Sequence, residues 1–590
     1  MKTQTSNLHI VSKLMIRLMF AQVLLTVVGE ANGIISSYFA SNYVSVSALG
    51  AVGLYSPINM LFTTFNVLLS GGVAILCGKY LGRNDQEKVQ NVFSLNLMLA
   101  LVIGAVFTAL FLVMGLFDLT GFFTRDAAIR PIFNRYLVGQ VWGIIPLILG
   151  TQLPAFLIME NKQKLVTIAS VIFAGVNVVL NLLFLRVLHL QELGIALASS
   201  LGLWVFFGVQ ASAFFSKKSS LHFELRPIDW REGFEVFRVG YSGATGKAYG
   251  AIRRIALNRL VEYFVGSVGV SAFAGTTNLL SLVWAIPNGM LVVSRLMISI
   301  AVGEEDRQSL TDVMRVMFRR YMPIVAAVDL IVILCAKPLA SILFKDPLDP
   351  VYMMTVWGLR IVPLAMCPNL MATHFMCYGQ ASGKDGLVNL LSFLNGVGCM
   401  VAFTALMIPW VGMNSAFISS VLNSTVCAIV VVIYAWMKNR HYPATMEELM
   451  VIPKDFGVGP EARIDISVKN MEEVLTVSKR VTDFCRSHGV DERRVYLASL
   501  CMEEMAGNIV EHGFTKDHKN HSIDIRVVYK EGTVLLRIRD DCVPFNPQER
   551  KELSISKDNL KNAGIRIVYQ IAESVDYQYL LGLNVLTIKI

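Results

Sequence analysis

The sequence predicts an α-helical membrane protein of twelve spans in two six-helix lobes, followed by a C-terminal α/β sandwich. Hydrophobic residues make up 54% of the 590 positions and charged residues only 16%, which is too apolar for an average soluble protein. Within the apolar part, one segment recurs as a weaker second copy. Beyond Met437 the long apolar runs stop, and short alternating and helical patterns follow.

Twelve runs of about 20 mostly apolar residues are each long enough to cross the hydrocarbon core of a bilayer. They lie at 14–37, 50–78, 91–117, 136–158, 165–189, 193–215, 240–264, 275–301, 321–336, 351–379, 386–408 and 412–437. The first run continues without a small-residue cleavage pattern, so it is predicted to be a span and not a removed signal peptide.

The repeated segment sets the predicted division of the membrane part. Its copies lie at 71–89 and 294–312, and each ends an apolar run on a glycine and a small charged loop. The loops are 82–85 (GRND) and 303–306 (GEED). Weaker matches on both sides keep the same order, so the membrane part is predicted to contain two copies of one half.

The membrane domain is predicted at 1–437, with halves at about 1–220 and 221–437. Six spans per half is an even number, so both halves enter the bilayer from the same side. Basic residues are concentrated in the connections that follow even-numbered spans. The positive-inside rule therefore predicts that both termini face the cytoplasm.

The formal net charge of +9 does not indicate a nucleic-acid partner. Basic and acidic residues balance between 462 and 590, which leaves the whole surplus in the membrane part. A basic surplus in the connections of a membrane protein is expected from its topology. The sequence therefore predicts no nucleic-acid binding.

Charged and amide side chains inside two predicted spans are the candidates for a transport cavity. The first span carries Glu30 and Asn32, and the seventh carries Lys247, Arg254 and Asn258 on one helical stripe with two glycines. A charge at the centre of a bilayer costs about 2.5 to 3.5 kcal/mol, so these groups are expected to face a cavity. Two alternatives remain: the acid is solvated near the cavity mouth, and the cations extend to the membrane interface.

Four segments of the membrane part together resemble the MATE family of multidrug and toxic-compound extruders, in order and in both halves. They are 47–58, the glycine-rich span ending at 82–85, 193–198 and 378–384. The resemblance implies a two-lobed antiporter that uses a sodium or proton gradient to export a small-molecule or lipid-like substrate. Many MATE-like proteins have an aspartate near the position of Ser36, and here Glu30 is the nearest acid. The cations of the seventh span suit an anionic head group or a partner for Glu30.

Proline and glycine residues between 438 and 461 indicate a linker. From 462 to 590 the periodicities predict a strand, two helices, two strands, a helix and two strands. This order is typical of an α/β sandwich of single-domain size.

Three small clusters in 462–590 resemble, in this order, the GHKL ATPases and most closely the anti-sigma-factor serine kinases. Glu504, Asn508 and His512 follow each other four positions apart in a predicted helix. Asp540 begins a proline-rich turn, and Gly564 lies where the next helix opens, with free N–H groups that suit a phosphate.

The resemblance implies binding of ATP with Mg²⁺ in a bacterial plasma (inner) membrane protein. It implies that Glu504 orients the attacking water or hydroxyl, Asn508 holds Mg²⁺, Asp540 accepts from the adenine amino group and Gly564 approaches the phosphates. The sequence departs from the family at Cys542 and at Asn562, where glycines are usual. A cysteine lacks the freedom of glycine at positive φ, so a distorted adenine pocket is expected.

These features predict a gradient-driven exporter or flippase with a cytoplasmic ATP-binding domain that regulates transport or a cytoplasmic regulatory protein partner. The alternative is a membrane-anchored anti-sigma-type serine/threonine kinase whose spans act as a receptor. A primary ATP-driven pump is disfavoured because the sequence has no Gly-x-x-x-x-Gly-Lys-Ser/Thr loop. The tail is also joined only to the end of the second half, so it is expected to regulate the lobes and not to drive them.

Overall fold

The chain folds into an α-helical bundle followed by a five-stranded antiparallel sheet with helices on one face. The structure, a computed structural model, describes residues 7–122, 129–216, 219–223, 229–344, 346–514, 521–530, 532–548 and 563–590. The bundle helices are α1 Asn7–Phe39, α2 Val46–Leu54, α3 Ser56–Gly82, α4 Gln86–Leu116, α5 Arg130–Val141, α6 Ile144–Met159, α7 Gln163–Leu182, α8 Gln191–Ala211, α9 Trp230–Val265, α10 Ser267–Gly303, α11 Arg307–Val316, α12 Met322–Leu334, α13 Ala336–Ala340, α14 Pro350–Ile361, α15 Met366–Ser382, α16 Asp385–Phe393, α17 Cys399–Val411 and α18 Asn414–Asn439.

The predicted number of twelve spans is not confirmed. In the described part of the chain, nine helical stretches are long and apolar enough to cross a membrane, and ten if the bent pair α5 and α6 counts as one span. Helix α9, with 36 residues, is long enough to cross a membrane, but its charged stripe makes it too polar to be counted. Helix α12 has only 13 residues and follows a turn that contains Arg319 and Arg320. The charges on α9, and the short length of α12 with the charged turn before it, are therefore the reasons for the lower number.

The two repeat loops share one local structure. In each, the preceding helix ends on the predicted glycine and one residue then takes the left-handed conformation, Asn84 with φ 60° and Glu305 with φ 51°. The next residue, Asp85 or Asp306, caps the following helix through its side-chain oxygen. The two loops therefore occupy equivalent positions in the two lobes.

Helices α3 and α10 meet backbone to backbone at their glycine ends, along a contact that we call the seam. A Cβ atom added to Gly82 would lie 2.5 Å from the carbonyl oxygen of Ile300, and one added to Gly303 would collide with the carbonyl oxygen of Lys79. A Cβ added to Gly78 would lie 2.6 Å from the Cβ atom of Ser299. Glycines are therefore needed for the two lobes to come this close.

The lobes diverge toward the opposite end of the bundle. Gly240 of α9 lies against the carbonyl oxygen of Leu68, and Gly289 of α10 lies against the backbone of Val23. Farther along the same faces, four glycines have no other described atom within 4 Å of an added Cβ: Gly29, Gly33, Gly246 and Gly250. Helices α1 and α9 thus border unpacked space along these glycines, which we call the cleft.

The C-terminal domain has the predicted element order. Its helices are α20 Met471–Ser487, α21 Glu492–Asn508 and α22 Ala563–Ile571, after the short linker helix α19 Met446–Met450; its strands are β1 Arg463–Val468, β2 Ile523–Lys530, β3 Thr533–Asp540, β4 Ser574–Leu580 and β5 Leu583–Lys589. The sheet order is β1-β2-β3-β5-β4, and all pairs are antiparallel. The predicted fold class, a helical membrane part with a GHKL-type sandwich, is confirmed.

The sheet has two different faces because side chains alternate along a strand. One face is apolar, with Ile525 of β2 and Ile538 of β3 packed under the helices. The other face carries charge and lies against the membrane domain, with Arg526 paired to Arg537 and Asp524 paired to Arg539 across β2 and β3. We call it the outer face.

The tip of the β4–β5 hairpin inserts between the ends of membrane helices. Leu580 and Leu581 belong to the same apolar cluster as Val11 and Leu14 of α1. Both central residues of the turn have positive φ, 56° at Leu581 and 86° at Gly582, as in a type I′ hairpin. A left-handed leucine costs about 1 to 2 kcal/mol, whereas burial of its side chain contributes about 1.5 to 3 kcal/mol. Because Leu581 is only 2% exposed, its burial outweighs the strain.

The linker packs along the second lobe. The guanidinium group of Arg307 lies 2.7 Å from the carboxylate of Glu447, and the ammonium group of Lys384 donates to the carbonyl oxygens of Met450 and Val451 at 2.7 and 2.6 Å. Burial lowers the pKa of Lys384 to about 8. These contacts fix the direction in which the chain leaves α18.

Candidate functional site

The cleft brings together charged side chains from both halves. Glu30 lies on α1, and Lys247 and Arg254 lie on α9, close enough for their charges to interact. All three residues are exposed and do not lie in the packed interior of the helix bundle. A third cation, Arg295 of α10, interacts with Lys247. Among the described residues, the charges that interact in the cleft are thus those of one acid and several cations.

The other predicted cavity residues have different surroundings. Asn258 is half-buried farther along α9, and the side chain of Asn32 lies outside the described residues. Arg253 turns away from the cleft, because its Nη1 atom donates to the carbonyl oxygen of Asn395 at 2.8 Å. Asn395 also donates to Asn369 at 3.2 Å, in a polar contact inside the second lobe.

One buried acid was missed by the sequence analysis. Asp329 of α12 is 5% exposed, and its Oδ1 atom has no hydrogen-bond partner among the described residues. The thiol of Cys367 lies 3.9 Å from its Oδ2 atom. The signal in the sequence was an aspartate within the apolar run 321–336.

In the C-terminal domain, two of the predicted nucleotide-site elements meet directly. Glu504 and Asn508 lie one turn apart on α21. A Cβ atom added to Gly564 would collide with the carboxylate of Glu504, so the start of α22 lies against that carboxylate. His512 lies in a π-turn after α21, where α-helical spacing does not apply, so its predicted place on the same helical face does not follow.

Asp540 is 3% exposed at the end of β3. Its Oδ1 atom accepts from the side-chain amide of Asn584 at 2.7 Å and from the backbone N–H of Cys542 at 3.0 Å. Burial raises the pKa of Asp540. Asn584, which the sequence analysis missed, accepts in turn from the hydroxyl of Tyr577 at 2.7 Å. These bonds fix the carboxylate that the GHKL resemblance assigns to adenine.

Cys542 lies outside the positive-φ region, so the backbone at this residue does not need the conformational freedom of glycine. Its side chain is buried, with Sγ 3.1 Å from where a Cβ atom on Gly513 would lie. Asn562, the other departure, lies outside the described residues. The site offers the chemical groups that ATP with Mg²⁺ requires. They are the carboxylate of Glu504, the amide of Asn508, the buried carboxylate of Asp540 and the backbone of Gly564 at the start of a helix.

A cluster of charges joins the outer face to the second repeat loop. The guanidinium group of Arg537 lies 3.1 Å from the carboxylate of Glu304, and Arg539 pairs with the same carboxylate. Arg526 pairs with Asp306. Burial alone would raise the pKa of Asp306, but the three guanidinium groups outweigh it and lower that pKa strongly. We call these five residues the arginine–acid cluster.

The domain also contacts the first lobe, which the sequence analysis did not expect. Lys13 of α1 lies 2.6 Å from the carboxylate of Asp541, and the side-chain amide of Asn161 donates to the hydroxyl of Tyr579 at 2.9 Å. Two further contacts are Arg17 to the carbonyl oxygen of Leu581 at 2.6 Å, and Gln578 to Asn84 in the first repeat loop. The tail is joined by the chain to the second half alone, but it contacts both halves.

The signals for this interface were present but lay far apart in the chain. The acidic loop 303–306 was noted as part of the repeat, and Arg537 and Arg539 alternate along a predicted strand. A charged strand face is most often solvated, so only the structure identifies the partners.

Comparisons with known proteins agree with both parts of the structure. The MatE family profile matches residues 18–183, and the profile of the histidine kinase-like ATPase domain matches residues 468–590. No curated protein sequence matches the chain.

Solved structures with a similar fold are MATE proteins and related transporters. A crystal structure of MATE in complex with MaL6 is 20% identical, with a TM-score of 0.67, and the match covers 72% of this chain and 96% of that chain. A crystal structure of MATE in the bent conformation is 19% identical, with a TM-score of 0.67 and coverage of 76% and 99%.

A third similar structure is a MOP superfamily transporter from Pyrococcus furiosus, for which reverse polarity of the binding pocket suggests a different function. It is 20% identical, with a TM-score of 0.67 and coverage of 74% and 96%. The chain therefore contains a MatE domain at residues 18–183 and a histidine kinase-like ATPase domain at residues 468–590, and its membrane part has the fold of MATE transporters.

Proposed function

We propose that the protein is a gradient-driven exporter or flippase whose C-terminal domain binds ATP and regulates transport. The observation that carries this proposal is the cleft between the lobes, in which Glu30 faces Lys247 and Arg254. Charged side chains inside a membrane domain are expensive and mark substrate or ion pathways. The MatE domain supports the same conclusion.

The cations of the cleft favour a substrate with an anionic head group and an apolar body. Lys247, Arg254 and Arg295 outnumber Glu30, so the cleft attracts anions more strongly than cations. The similar transporter from Pyrococcus furiosus has a binding pocket of reverse polarity, so pocket polarity differs among transporters of this fold.

Glu30 is the proposed site of the coupling ion, sodium or a proton. Glu30 is an accessible acid at an interface between the lobes. Because cations lie near it, its ionisation depends on whether a substrate or an ion also occupies the cleft. Asn32 and Asn258 would supply neutral polar groups on the same two helices.

The tail would act in the cytoplasm of a bacterial cell, with the domain boundary in the linker 438–461 and the ATP site in 462–590. The positive-inside pattern supports this placement. Glu504, Asn508, Asp540 and Gly564 are the proposed ATP·Mg²⁺ residues. ATP bound there would change transport by a regulatory coupling of about 1 to 3 kcal/mol, because a gradient supplies the energy of transport.

The test is transport in proteoliposomes with an imposed sodium or proton gradient and no nucleotide. Wild type is expected to transport, and Glu30→Gln is expected to lose gradient coupling while it still folds, because Gln keeps the size of the side chain. Asp329→Asn is the matched control, since it makes the same acid-to-amide change at a buried acid of the other half, whose Oδ1 atom has no hydrogen-bond partner among the described residues. Unchanged coupling in Glu30→Gln would contradict this assignment.

Substrate class is tested in the same vesicles. Lys247→Gln and Arg254→Gln should weaken transport of an anionic amphiphile more than that of a cationic one, because they remove positive charge from the cleft. Equal losses for both would indicate structural damage. Transport that appears only with ATP, at a rate that follows hydrolysis, would overturn gradient coupling. Phosphotransfer to a serine or threonine protein without any transport would favour the kinase alternative.

A further inference from the structure

The C-terminal domain contacts both lobes through one rigid sheet. Its outer face holds Glu304 and Asp306 of the second lobe, and its hairpin reaches Asn84 and Asn161 of the first lobe. The two repeat loops, which are equivalent by sequence, are thus both bound by the same domain. No part of the linker is needed to make these contacts.

The domain lies over the seam. Asn84 and Glu304 lie within two residues of the helix ends that meet backbone to backbone at Gly82 and Gly303. If α3 and α10 separate at this end, the two loops must also move apart. A single rigid sheet cannot remain bound to both loops when they do.

The docking contacts combine buried charge with one inserted apolar tip. The side chain of Glu304 is 7% exposed and lies between Arg537 and Arg539. Leu581, at the hairpin tip, is buried although its backbone is in the left-handed conformation. When the domain separates from the lobes, water hydrates the charged groups on both sides. Separation therefore leaves no unpaired ion buried in an apolar region. An interface of this kind is suited to reversible docking.

We propose that the C-terminal domain is a clamp that holds the two lobes together at the seam and must separate from at least one lobe before the seam opens. The docked structure is therefore the inhibited state of the carrier. The proposal rests on the proposed function, because a clamp regulates transport only if the lobes move. It extends that function by assigning the outer face and the hairpin tip to the inhibitory contact.

The test compares two acids of the same loop in the full chain. Glu304 is buried in the arginine–acid cluster, whereas Glu305 is 56% exposed and pairs at 3.2 Å with Lys530 at the edge. Glu304→Gln should release the clamp and raise gradient-driven transport without nucleotide by roughly fivefold or more. Glu305→Gln should change the rate by less than roughly twofold, because exposed ion pairs contribute little.

Arg539→Gln breaks the same contact from the other side and separates a clamp effect from damage to the carrier. It should raise transport as Glu304→Gln does, and the double variant should be no faster than either single variant because both remove one contact. Rates that stay at the wild-type level or fall in both single variants would overturn the proposal.

A second measurement does not depend on transport. Ser299→Cys places a thiol in the seam beside Gly78, in a background in which the exposed Cys335 is replaced by serine. A membrane-impermeant maleimide should label this thiol faster in Glu304→Gln than in the parent. Faster labelling without transport in any variant would support the clamp and contradict the proposed transport function. Equal labelling in both would contradict the clamp.

Discussion

Lys13, near the start of the first membrane helix, holds its ammonium group 2.6 Å from the carboxylate of Asp541, next to the aspartate that the GHKL resemblance assigns to adenine. Asp541 also accepts from Nδ1 of His521 at 2.9 Å. Burial alone would raise the pKa of Asp541, but hydrogen bonds from Lys13 and His521 outweigh it and lower that pKa. A direct polar contact thus connects the proposed nucleotide site with the helix that carries Glu30.

The first prediction concerns this contact. Lys13→Gln should leave ATP affinity nearly unchanged, since Lys13 is 53% exposed and such pairs contribute at most about 1 kcal/mol. It should reduce the effect of ATP on the transport rate, because the adenine-side turn loses its contact with α1. Lys88→Gln is the matched control, as Lys88 pairs within its own lobe with Asp85 at 4.0 Å. An ATP effect of wild-type size in Lys13→Gln would rule out this route.

The second prediction concerns the proposed nucleotide site. Asn508→Ala should lose Mg²⁺-dependent ATP binding by roughly tenfold or more, because the amide oxygen is the proposed metal ligand. Glu504→Gln should keep binding and lose any hydrolysis or phosphotransfer, since the carboxylate orients the attacking group. Calorimetry with ATP and Mg²⁺ on the full chain measures the first effect, and phosphate release measures the second. Glu503→Gln, one position away on α21, is the control and should resemble wild type.

The third prediction concerns the pH dependence of docking. Burial under the membrane domain raises the pKa of Asp524 on β2 to about 7. Two neighbouring guanidinium groups lower this pKa, and two neighbouring carboxylates raise it: Arg539 and Arg526, and Asp465 and Asp312. A carboxyl group whose pKa is raised in the folded state stabilises that state below its ordinary pKa of 3.8, and this contribution is lost as pH rises through about 7. Docking should therefore weaken as pH rises across this window.

Asp524→Asn should make docking less dependent on pH between about 4 and 7, because asparagine does not titrate. Burial also raises the pKa of Asp312 to about 6, which acts in the same direction, so part of the dependence should remain. Asp306 stays ionised throughout because its pKa is strongly lowered. Hydrogen exchange of the β2 and β3 amides measures docking, and a slope equal to wild type in Asp524→Asn would refute the prediction.

The fourth prediction concerns the hairpin tip. Leu581→Asn should relieve the left-handed backbone, which asparagine adopts readily, but it places a polar group in the apolar socket. Relief of the turn stabilises the hairpin whether or not the domain is docked, so docking should weaken by the lost burial of leucine, about 1.5 to 3 kcal/mol. Leu581→Met keeps the apolar contact and should dock like wild type. Docking as strong as wild type in Leu581→Asn would contradict the role of the buried tip.

Local patterns determined most of the architecture. Apolar runs, the repeated glycine loops and the element order of 462–590 follow from periodicity along a few neighbouring residues. The proposed nucleotide residues Glu504, Asp540 and Gly564 were identified from motif order, and the structure places Glu504 against Gly564. The predicted number of twelve spans was not confirmed. Helix α9 belongs to the bundle, but its charged stripe makes it too polar to be recognised as a span from its composition.

The sequence by itself determined that a two-lobed membrane unit precedes an α/β sandwich, because hydrophobic periodicity is a property of each segment alone. Only the tertiary structure decided that Arg526, Arg537 and Arg539 meet Glu304 and Asp306. The arginines lie on a charged strand face and the acids in a charged loop, and either would be equally stable in water. The strand face and the loop are also far apart in the chain. Their pairing depends on the shapes of two folded domains and on the burial of the hairpin tip, which no single segment specifies.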